Sequence, residues 1–272
     1  MPTIAQALKE ASQQIDRFEA KLLLAAALGK DRTYLIAHDR DALQDDVLAL
    51  YRQFIERRLR GEPVPYILGK QEFFGRSFHV CSAVLIPRPD TETLIETVLQ
   101  YCREHDVRTL LDLGTGSGCI AITLALELPQ LQVFASDNSQ EALAVARENA
   151  QELGARVRFY ESDWFSALHE LTLFDAIVSN PPYIRRDDEH LLQLGYEPIQ
   201  ALTDGNDGLD DIRQIIKQAP RHLNRGGLLA FEHGWDQARA VRDLFSDPIW
   251  DTPQTVKDLA GNDRVTFARR HA

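Results

Sequence analysis

The feature that most constrains this chain is an alternation of short apolar runs and helical segments that begins at Val107. The apolar runs, which we predict to be strands, are 109–113, 132–136, 157–160, 174–179 and 227–231. The helical segments between and after them are 118–128, 139–153, one that follows Gly208, and 236–245. Strands that alternate with helices usually form a parallel sheet through right-handed crossovers. The sequence therefore predicts an α/β fold with a doubly wound, mostly parallel sheet.

Both ends of the chain depart from this alternation. Residues 1–69 show the apolar spacing of helices, which predicts a small N-terminal helical domain. Residues 70–86 carry two strand-like runs around Gly75 and are predicted to form a linking hairpin. Near the C-terminus, 255–258 and 264–268 flank a Gly-Asn turn, which predicts an antiparallel C-terminal strand at the sheet edge. Residues 87–272 would then form the main domain.

Composition predicts a soluble, cytoplasmic protein without membrane association. The 272 residues are 44% hydrophobic and 26% charged, and no apolar run is long enough to span a bilayer. The first residues lack the pattern of a signal peptide, and the three cysteines are scattered. A net charge of −11 argues against a large surface for nucleic acid, so we expect no stable nucleic-acid binding. No coiled-coil pattern suggests assembly, and we expect a monomer.

A glycine-rich loop joins the first predicted strand to its helix. It reads Asp112-Leu113-Gly114-Thr115-Gly116-Ser117-Gly118. Glycines let the backbone approach a ligand closely, and the start of the following helix points amide hydrogens at it. Asp137 ends the next strand, where a carboxylate can bind two ribose hydroxyls. The glycine spacing is one residue shorter than the dinucleotide fingerprint, and no Lys-Ser/Thr follows as in a P-loop. These residues predict a nucleotide-type ligand.

The tetrad Asn180-Pro181-Pro182-Tyr183 follows the fourth predicted strand. Two consecutive prolines cannot continue a central strand, so the chain should leave the sheet in a stiff turn. The Asn180 side-chain carbonyl and the Pro181 backbone carbonyl are then fixed acceptors, with the ring of Tyr183 beside them. Such a site suits a planar group that carries an NH2. An ordinary strand-ending turn is the alternative when the tetrad is taken alone.

The glycine loop with Asp137 resembles the S-adenosylmethionine loop of class I methyltransferases, which also close their sheet with an antiparallel last strand. The resemblance implies that the loop faces the methionine and ribose parts of this cofactor through Gly114, Thr115, Gly116, Ser117 and Gly118. Asp137 would bind the ribose hydroxyls. Asp163 and Trp164 would flank the adenine, with a capping residue and a core or rim aromatic as the alternatives.

In methyltransferases of this class, a tetrad like Asn180-Pro181-Pro182-Tyr183 marks methylation of nitrogen in a planar system. The acceptors are adenine or cytosine amines or a glutamine amide. The resemblance assigns catalytic and substrate-binding roles to Asn180, Pro181, Pro182 and Tyr183, with Asn180 also next to the cofactor. Accepting both amide hydrogens would position the nitrogen and increase its electron density. No strong general base is evident beside the tetrad.

Six motifs in order resemble the release-factor glutamine methyltransferase family, HemK or PrmC. They span 62–69, 86–92, 180–184, 202–205, 207–209 and 259–264. The resemblance implies methyl transfer to N(5) of the glutamine in the Gly-Gly-Gln motif of class I peptide chain release factors, with S-adenosyl-L-homocysteine as product. Residues 1–69 would dock the release factor, and 87–272 would be the S-adenosyl-L-methionine-dependent methyltransferase domain.

Other functions stay open at this point. An adenine-specific nucleic-acid amino-methyltransferase would need a basic groove and a recognition insertion, and the acidic charge and the short segment 184–195 argue against both. A non-catalytic binding scaffold and a dehydrogenase are further alternatives. Arg88 could line the cofactor cleft or form a surface salt bridge. His233 is interpreted as structural, and with no His/Cys cluster we predict no metal.

A local basic patch lies on the predicted helix before Gly61, formed by Arg57, Arg58 and Arg60. We interpret it as a solvated helix face. Contact with an acidic partner or ribosomal RNA is the alternative.

Overall fold

Five helices form the N-terminal unit, Met1–Lys70, of the computed structural model, which describes residues 1–168 and 172–271. They are α1 (Ile4–Ala11), α2 (Arg17–Leu28), α3 (Arg32–Ala37), α4 (Asp45–Leu59) and α5 (Val64–Leu68). Side-chain caps start the first three: Thr3 and Gln6 form a capping box on α1, and Asp16 and Asp31 cap α2 and α3. Gly29 ends α2 in the left-handed region. The buried core of this unit is apolar and includes Leu23, Leu24, Leu43 and Ile55.

The second unit, Gln71–Ala272, is built on a seven-stranded sheet with the order β5-β4-β3-β6-β7-β9-β8. Its strands are β3 (Thr109–Leu113), β4 (Gln132–Asp137), β5 (Val157–Glu161), β6 (Phe174–Ser179), β7 (Leu223–Glu232), β8 (Gln254–Lys257) and β9 (Asp263–Arg269). The first five of these strands pair in parallel, and β9 pairs antiparallel with β7 and β8. The predicted doubly wound sheet with an antiparallel C-terminal strand is confirmed.

Helices cover both faces of this sheet. They are α6 (Glu92–Glu104), α7 (Cys119–Glu127), α8 (Gln140–Leu153), α9 (Asp210–Gln218) and α10 (Ala238–Leu244). Residues alternate between the two apolar layers along each strand. In β3, Leu110 belongs to the layer that contains residues of α6 and α7, and Leu111 to the layer that contains residues of α9 and α10. The central strand β3 is therefore buried on both sides, whereas the edge strand β5 is partly exposed.

A short hairpin precedes the sheet, formed by β1 (Lys70–Phe73) and β2 (Arg76–His79). Phe73 and Phe78 are buried in the same apolar layer as α6 and α7. The backbone N–H of His79 donates to Asn149 Oδ1 at 2.6 Å, and Asn149 Nδ2 donates to the His79 carbonyl at 3.0 Å. The hairpin thus packs on the larger unit. The limits 70–86 and 87–272 remain predictions from the sequence.

Strand β7 is longer than the sequence predicted, because it begins at Leu223 rather than at residue 227. Its register with β6 shifts between Phe174 and Ala176. This stretch includes Asn224 to Gly227, whose polar and glycine residues resemble a turn in the sequence. In the structure they lie in the strand, at the shift in register with β6. None of the helices within 1–168 and 172–271 has the length and apolar character needed to cross a membrane.

Candidate active site

The carboxyl ends of three neighbouring strands bring the predicted site residues together. Leu113 of β3 is in register with Ser136 of β4 and with Ser179 of β6. The next residues along each strand are Gly114, Asp137 and Asn180, so the chain places them side by side. Strands β3 and β6 flank the point where the strand order reverses, and ligands bind at such switch points in open α/β sheets.

A cleft of about 300 Å³ opens at this edge of the sheet. Most of the residues predicted for the cofactor line it, and these are Gly114, Thr115, Gly116, Ser117, Asp137, Asp163, Trp164 and Asn180, joined by Pro182. Gly118 is not among the lining residues. A Cβ on Gly118 would lie 2.7 Å from Ile122 Cδ1 and 3.2 Å from Ala146 Cβ, at a φ of +82°. Its place in the fold is thus a close contact between α7 and α8.

The carboxylate of Asp137 accepts hydrogen bonds from the backbone of the glycine loop and of the start of α8. Oδ2 accepts from the backbone N–H of Gly116 at 2.8 Å, and Oδ1 accepts from the backbone N–H of Ser139 at 2.9 Å. Burial raises the pKa of Asp137, and these backbone hydrogen bonds oppose the shift. An ionised carboxylate offers about four lone-pair sites, so Asp137 keeps acceptor capacity for ligand hydroxyls.

Two further carboxyl groups belong to this region although the sequence singled out neither. Asp112 is fully buried, and its Oδ2 accepts from Thr115 Oγ1 at 2.7 Å. Burial raises the pKa of Asp112 to about 7. Asp211 lines the cleft, and burial with the nearby charge of Asp204 raises its pKa to about 6. With Asp163 and Asp204 also in the wall, the cleft is acidic and suits a ligand that carries positive charge.

A second, smaller cavity of about 70 Å³ adjoins the cleft. It is lined by Leu85, Arg88, Asn180, Pro181, Tyr183, Ile184, Leu194, Ala201 and Leu202. Leu85, Arg88, Asn180 and Ala201 line both cavities and form their common wall. The four residues of the tetrad are therefore divided: Asn180 faces both spaces, Pro182 faces the cleft, and Pro181 and Tyr183 face the smaller cavity. Strand β6 ends at Ser179, as the two prolines predict.

Hydrogen bonds fix the two polar side chains of the tetrad. Asn180 Nδ2 donates to Thr91 Oγ1 at 3.3 Å. The Tyr183 hydroxyl donates to Glu232 Oε1 at 2.8 Å. This bond uses the amide nitrogen of Asn180, and the carbonyl oxygen Oδ1 keeps its own acceptor capacity. Burial and the adjacent Glu232 raise the pKa of Tyr183 well above its usual value, so the phenol stays protonated.

Glu232 is a fully buried acid that the sequence analysis did not assign to the site. It ends β7, and because Ser179 of β6 is in register with Phe231, Glu232 lies beside the start of the tetrad. Burial raises the pKa of Glu232, while the hydroxyls of Thr91 and Tyr183 lower it. Its Oε2 is buried without a hydrogen-bond partner among the described residues. A lone acid at the end of an apolar strand was the available sequence signal.

Of the two alternatives for Arg88, the structure shows the residue lining the cleft, and its ion pair is with a buried partner rather than at the surface. Arg88 lines the cleft, and its Nη2 donates to Glu197 Oε1 in an ion pair. The backbone N–H of Ile86 donates to the other carboxylate oxygen of Glu197 at 3.0 Å. Glu197 lies 109 residues from Arg88 in the chain, and its side chain is only 2% exposed. The pair joins the segment before α6 to the loop after the tetrad.

The remaining residues singled out from the sequence have structural contacts. His233 Nδ1 donates to the carbonyl of Gly234 at 2.8 Å, and its Nε2 is 2.8 Å from Thr266 Oγ1. Burial lowers the pKa of His233, so the ring is neutral at pH 7. In the N-terminal unit, Arg57 pairs with Glu62, and Arg58 pairs with Glu19.

Comparison of the sequence with protein families gives two matches. Residues 3–69 match the family described as PrmC N-terminal domain, and residues 89–202 match the methyltransferase small domain. The chain is 48% identical over 254 residues to the release factor glutamine methyltransferase of Bordetella pertussis, covering 93% of this chain and 94% of that protein. It is 44% identical to the enzyme of the same name from Xylella fastidiosa, covering 99% and 98%.

Solved structures show the same fold at lower sequence identity. A 16S rRNA methyltransferase of T. thermophilus, solved with AdoMet and guanosine, has a TM-score of 0.57 at 21% identity, covering 74% of this chain and 50% of that one. A methyltransferase from Pyrococcus furiosus has a TM-score of 0.54 at 18% identity, covering 80% and 97%. These structures support the fold. The 44–48% identity to the two relatives over nearly their full length confirms the family resemblance noted from the motifs: this chain belongs to the release factor glutamine methyltransferase family.

Proposed function

We propose that this protein transfers a methyl group from S-adenosyl-L-methionine to N(5) of the glutamine in the Gly-Gly-Gln motif of class I peptide chain release factors. The observation that carries the proposal is the shared wall of the two cavities, where Asn180 stands between the cleft with the glycine loop and the small cavity with Pro181 and Tyr183. A methyl donor in the first space and a planar amide in the second would meet at this residue. The family relationship supports the same reaction.

The residues of the cleft fit the proposed donor. Asp137 keeps acceptor capacity for ribose hydroxyls, Trp164 offers an aromatic surface, and Asp163 adds a carboxylate at the same wall. When bound, S-adenosyl-L-methionine supplies an electrophilic methyl group on a positively charged sulfur, and S-adenosyl-L-homocysteine is its product. The acidic wall suits that charge. The protein's own task is to orient the acceptor nitrogen and to exclude water from the approach.

The tetrad performs the orientation. Asn180 Oδ1 and the Pro181 carbonyl accept the two amide hydrogens of the acceptor, which positions the nitrogen and increases its electron density. Tyr183 packs against the planar group and is itself held by Glu232. Thr91 holds the Asn180 amide in the orientation that leaves Oδ1 free. Fixed groups of this kind act without reorganising during the reaction.

Removal of the Asp137 carboxylate tests whether this side chain binds the ribose of the donor. We expect Asp137→Ala to weaken S-adenosylmethionine binding by about tenfold to hundredfold, because hydrogen bonds to charged groups contribute about 1.5–3 kcal/mol and 1.4 kcal/mol is a factor of ten. Calorimetric titration measures this affinity. Asp243→Ala, at an exposed position of α10, is the matched control. Equal donor affinity in the two variants would contradict the assignment of Asp137.

The N-terminal unit is proposed to dock the release factor. Ile36, at 75% exposure, is an apolar side chain on its surface. We expect Ile36→Asp to raise KM for an intact release factor about threefold to tenfold, in the range of a moderate interface residue. KM for a short Gly-Gly-Gln peptide, which lacks the rest of the release factor, should not change. A parallel rise with both substrates would instead indicate damage to the fold.

The reaction itself is tested by incubating the protein with labelled S-adenosylmethionine and a class I release factor, followed by mass spectrometry of the Gly-Gly-Gln region. One added methyl group on the glutamine is the expected result. Label on DNA and none on the release factor would favour the adenine methyltransferase instead. We further propose that the protein acts as a cytoplasmic monomer and does not bind nucleic acid stably, which its net charge of −11 supports.

A further inference from the structure

A glutamine side chain in the small cavity would present three hydrogen-bonding needs. Its NH2 has two donors, and its carbonyl oxygen is an acceptor. The proposed function assigns the two donors to Asn180 and Pro181 but leaves the carbonyl oxygen without a partner. A buried acceptor without a partner costs about 1–3 kcal/mol. The cavity should therefore contain a donor for this oxygen.

The polar side chains that line the small cavity are those of Arg88, Asn180 and Tyr183. The NH2 of Asn180 already donates to Thr91 Oγ1, and the Tyr183 hydroxyl already donates to Glu232. The guanidinium of Arg88 carries five N–H groups, and its hydrogen bond to Glu197 uses one nitrogen, Nη2. Arg88 therefore has four N–H groups outside its hydrogen bond to Glu197, whereas the NH2 of Asn180 has one remaining N–H and the Tyr183 hydroxyl has none.

Building on the proposed function, we propose that Arg88 is a specificity-determining residue. It donates a hydrogen bond to the side-chain carbonyl oxygen of the acceptor glutamine. Its ion pair with Glu197 balances its charge, so that the cavity selects a neutral amide over a carboxylate.

The surroundings of the pair support this assignment. Glu197 is almost completely buried and is anchored by the backbone N–H of Ile86, so the carboxylate has a fixed position. Arg88 lies between Pro87 and Pro89, which restrict the backbone on both sides. Arginine would normally attract a carboxylate through a bidentate pair. Here Glu197 already balances the charge of the guanidinium, and a second carboxylate would be buried without a balancing charge.

The other acceptors of the cavity act in the same direction. Asn180 Oδ1 and the Pro181 carbonyl suit the two hydrogens of an amide. A glutamate in the same position would place one carboxylate oxygen where the NH2 lies, and that oxygen would face both acceptors with no hydrogen between them. A glutamine therefore satisfies Arg88, Asn180 and Pro181 at once, whereas a glutamate leaves acceptors facing one another.

Arg88 also lines the donor cleft, so the experiment measures both ligands. Arg88→Met, Glu197→Gln and, as a control, Arg76→Met are compared with the wild-type protein. Arg76 is an arginine of the hairpin that pairs with Glu127 and lines neither cavity. The substrates are a release factor with its Gly-Gly-Gln motif and the same factor with glutamate in place of that glutamine, used as a competitor.

We expect Arg88→Met to lower kcat/KM for the release factor by about tenfold to hundredfold, the effect of losing one hydrogen bond to a charged group. The affinity of Arg88→Met for S-adenosylmethionine should stay within about threefold of the wild-type affinity. Glu197→Gln keeps an acceptor for Ile86 but removes the compensating charge. The affinity for the factor with glutamate, divided by the affinity for the factor with glutamine, should rise by about tenfold or more. The reason is that Arg88 would then carry an uncompensated buried charge, which a glutamate could balance. Arg76→Met should change neither quantity.

Two results would overturn the inference while leaving the proposed function intact. One is an unchanged affinity ratio in Glu197→Gln. The other is a loss of donor affinity in Arg88→Met with unchanged kinetics for the release factor at saturating donor, which would assign Arg88 to the cofactor. Absence of methylation by the wild-type protein would reject the proposed function and, with it, the inference.

Discussion

Replacement of Asn180 by alanine is expected to reduce methyl transfer to the release factor by about 10²–10³-fold in kcat, while S-adenosylmethionine binding remains measurable. The loss follows from the removal of a fixed polar group aimed at the reacting centre, which in other enzymes costs this much. The side chain is positioned before substrate arrives, because its NH2 donates to Thr91 Oγ1. Asn180 also borders the donor cleft, so donor affinity is expected to fall only modestly.

Rapid-quench measurement of a single turnover separates the chemical step from binding in this variant. Calorimetric titration reports the donor affinity of the same preparation. Asn262→Ala, at an exposed position in the turn between β8 and β9, serves as a matched control and should keep wild-type rates. Full activity of Asn180→Ala would exclude the acceptor role of its side chain.

The second large effect is expected at Gly208, which lies directly beneath the tetrad. A Cβ at this position would lie 2.2 Å from the carbonyl oxygen of Tyr183 and 2.9 Å from Gln237 Nε2. Its φ is +77°, in the left-handed region. Gln237 Nε2 donates to the Tyr183 carbonyl at 2.9 Å and so fixes the tetrad from the same side. Alanine at Gly208 must therefore displace Tyr183 or strain the loop.

We expect Gly208→Ala to destabilise the protein by about 2–5 kcal/mol, from overpacking of about 1–3 kcal/mol and a left-handed backbone cost of about 1–2 kcal/mol. For a chain of this size, Tm should fall by about 4 °C or more. The remaining folded protein should have a raised KM for the release factor, because Tyr183 lines the small cavity.

Gly195→Ala provides the control for this glycine substitution. A Cβ on Gly195 would meet no atom within 4 Å. Its Tm and activity should match those of the wild-type protein. If Gly208→Ala behaved like Gly195→Ala in both measurements, the close approach beneath Tyr183 would not matter for the tetrad.

The loop that contains Gly208 shows how local hydrogen bonds build such a contact. Asp204 Oδ1 accepts from the backbone N–H groups of Asn206 and Gly208, and its Oδ2 accepts from that of Asp210. Asp207 and Asp210 pair with Arg213. The sequence contained the family motif of this loop, but its position under Tyr183 depends on how α9 packs against the sheet.

Local chemistry allowed much of the site to be predicted from the sequence. The prolines of the tetrad end β6 wherever it lies, because they cannot pair in a sheet. The glycine loop and Asp137 follow two parallel strands, and the carboxyl ends of parallel strands lie at the same edge of the sheet. Those rules place Gly114, Asp137 and Asn180 together without reference to any distant residue.

The groups that support the site were not predictable in this way. Glu232, Thr91 and Glu197 contact the tetrad or Arg88 across 49 to 109 residues of chain. Glu232 ends an apolar run, but that local signal does not distinguish a buried acid from one in solvent. Asp112 belongs to the glycine-loop motif of the sequence, but its complete burial and its raised pKa arise from the layers packed around β3.

By itself the sequence determined the alternation of strands and helices, the glycine loop and the turn at the tetrad, because periodicity, glycine and proline act within a few residues. Only the tertiary structure decided that Asn180 and Arg88 lie in the wall shared by two cavities. It also decided that Glu232 binds the Tyr183 hydroxyl and that Glu197 pairs with Arg88. The physical reason is that burial and pairing of charge depend on strand register and helix packing, which no local pattern specifies.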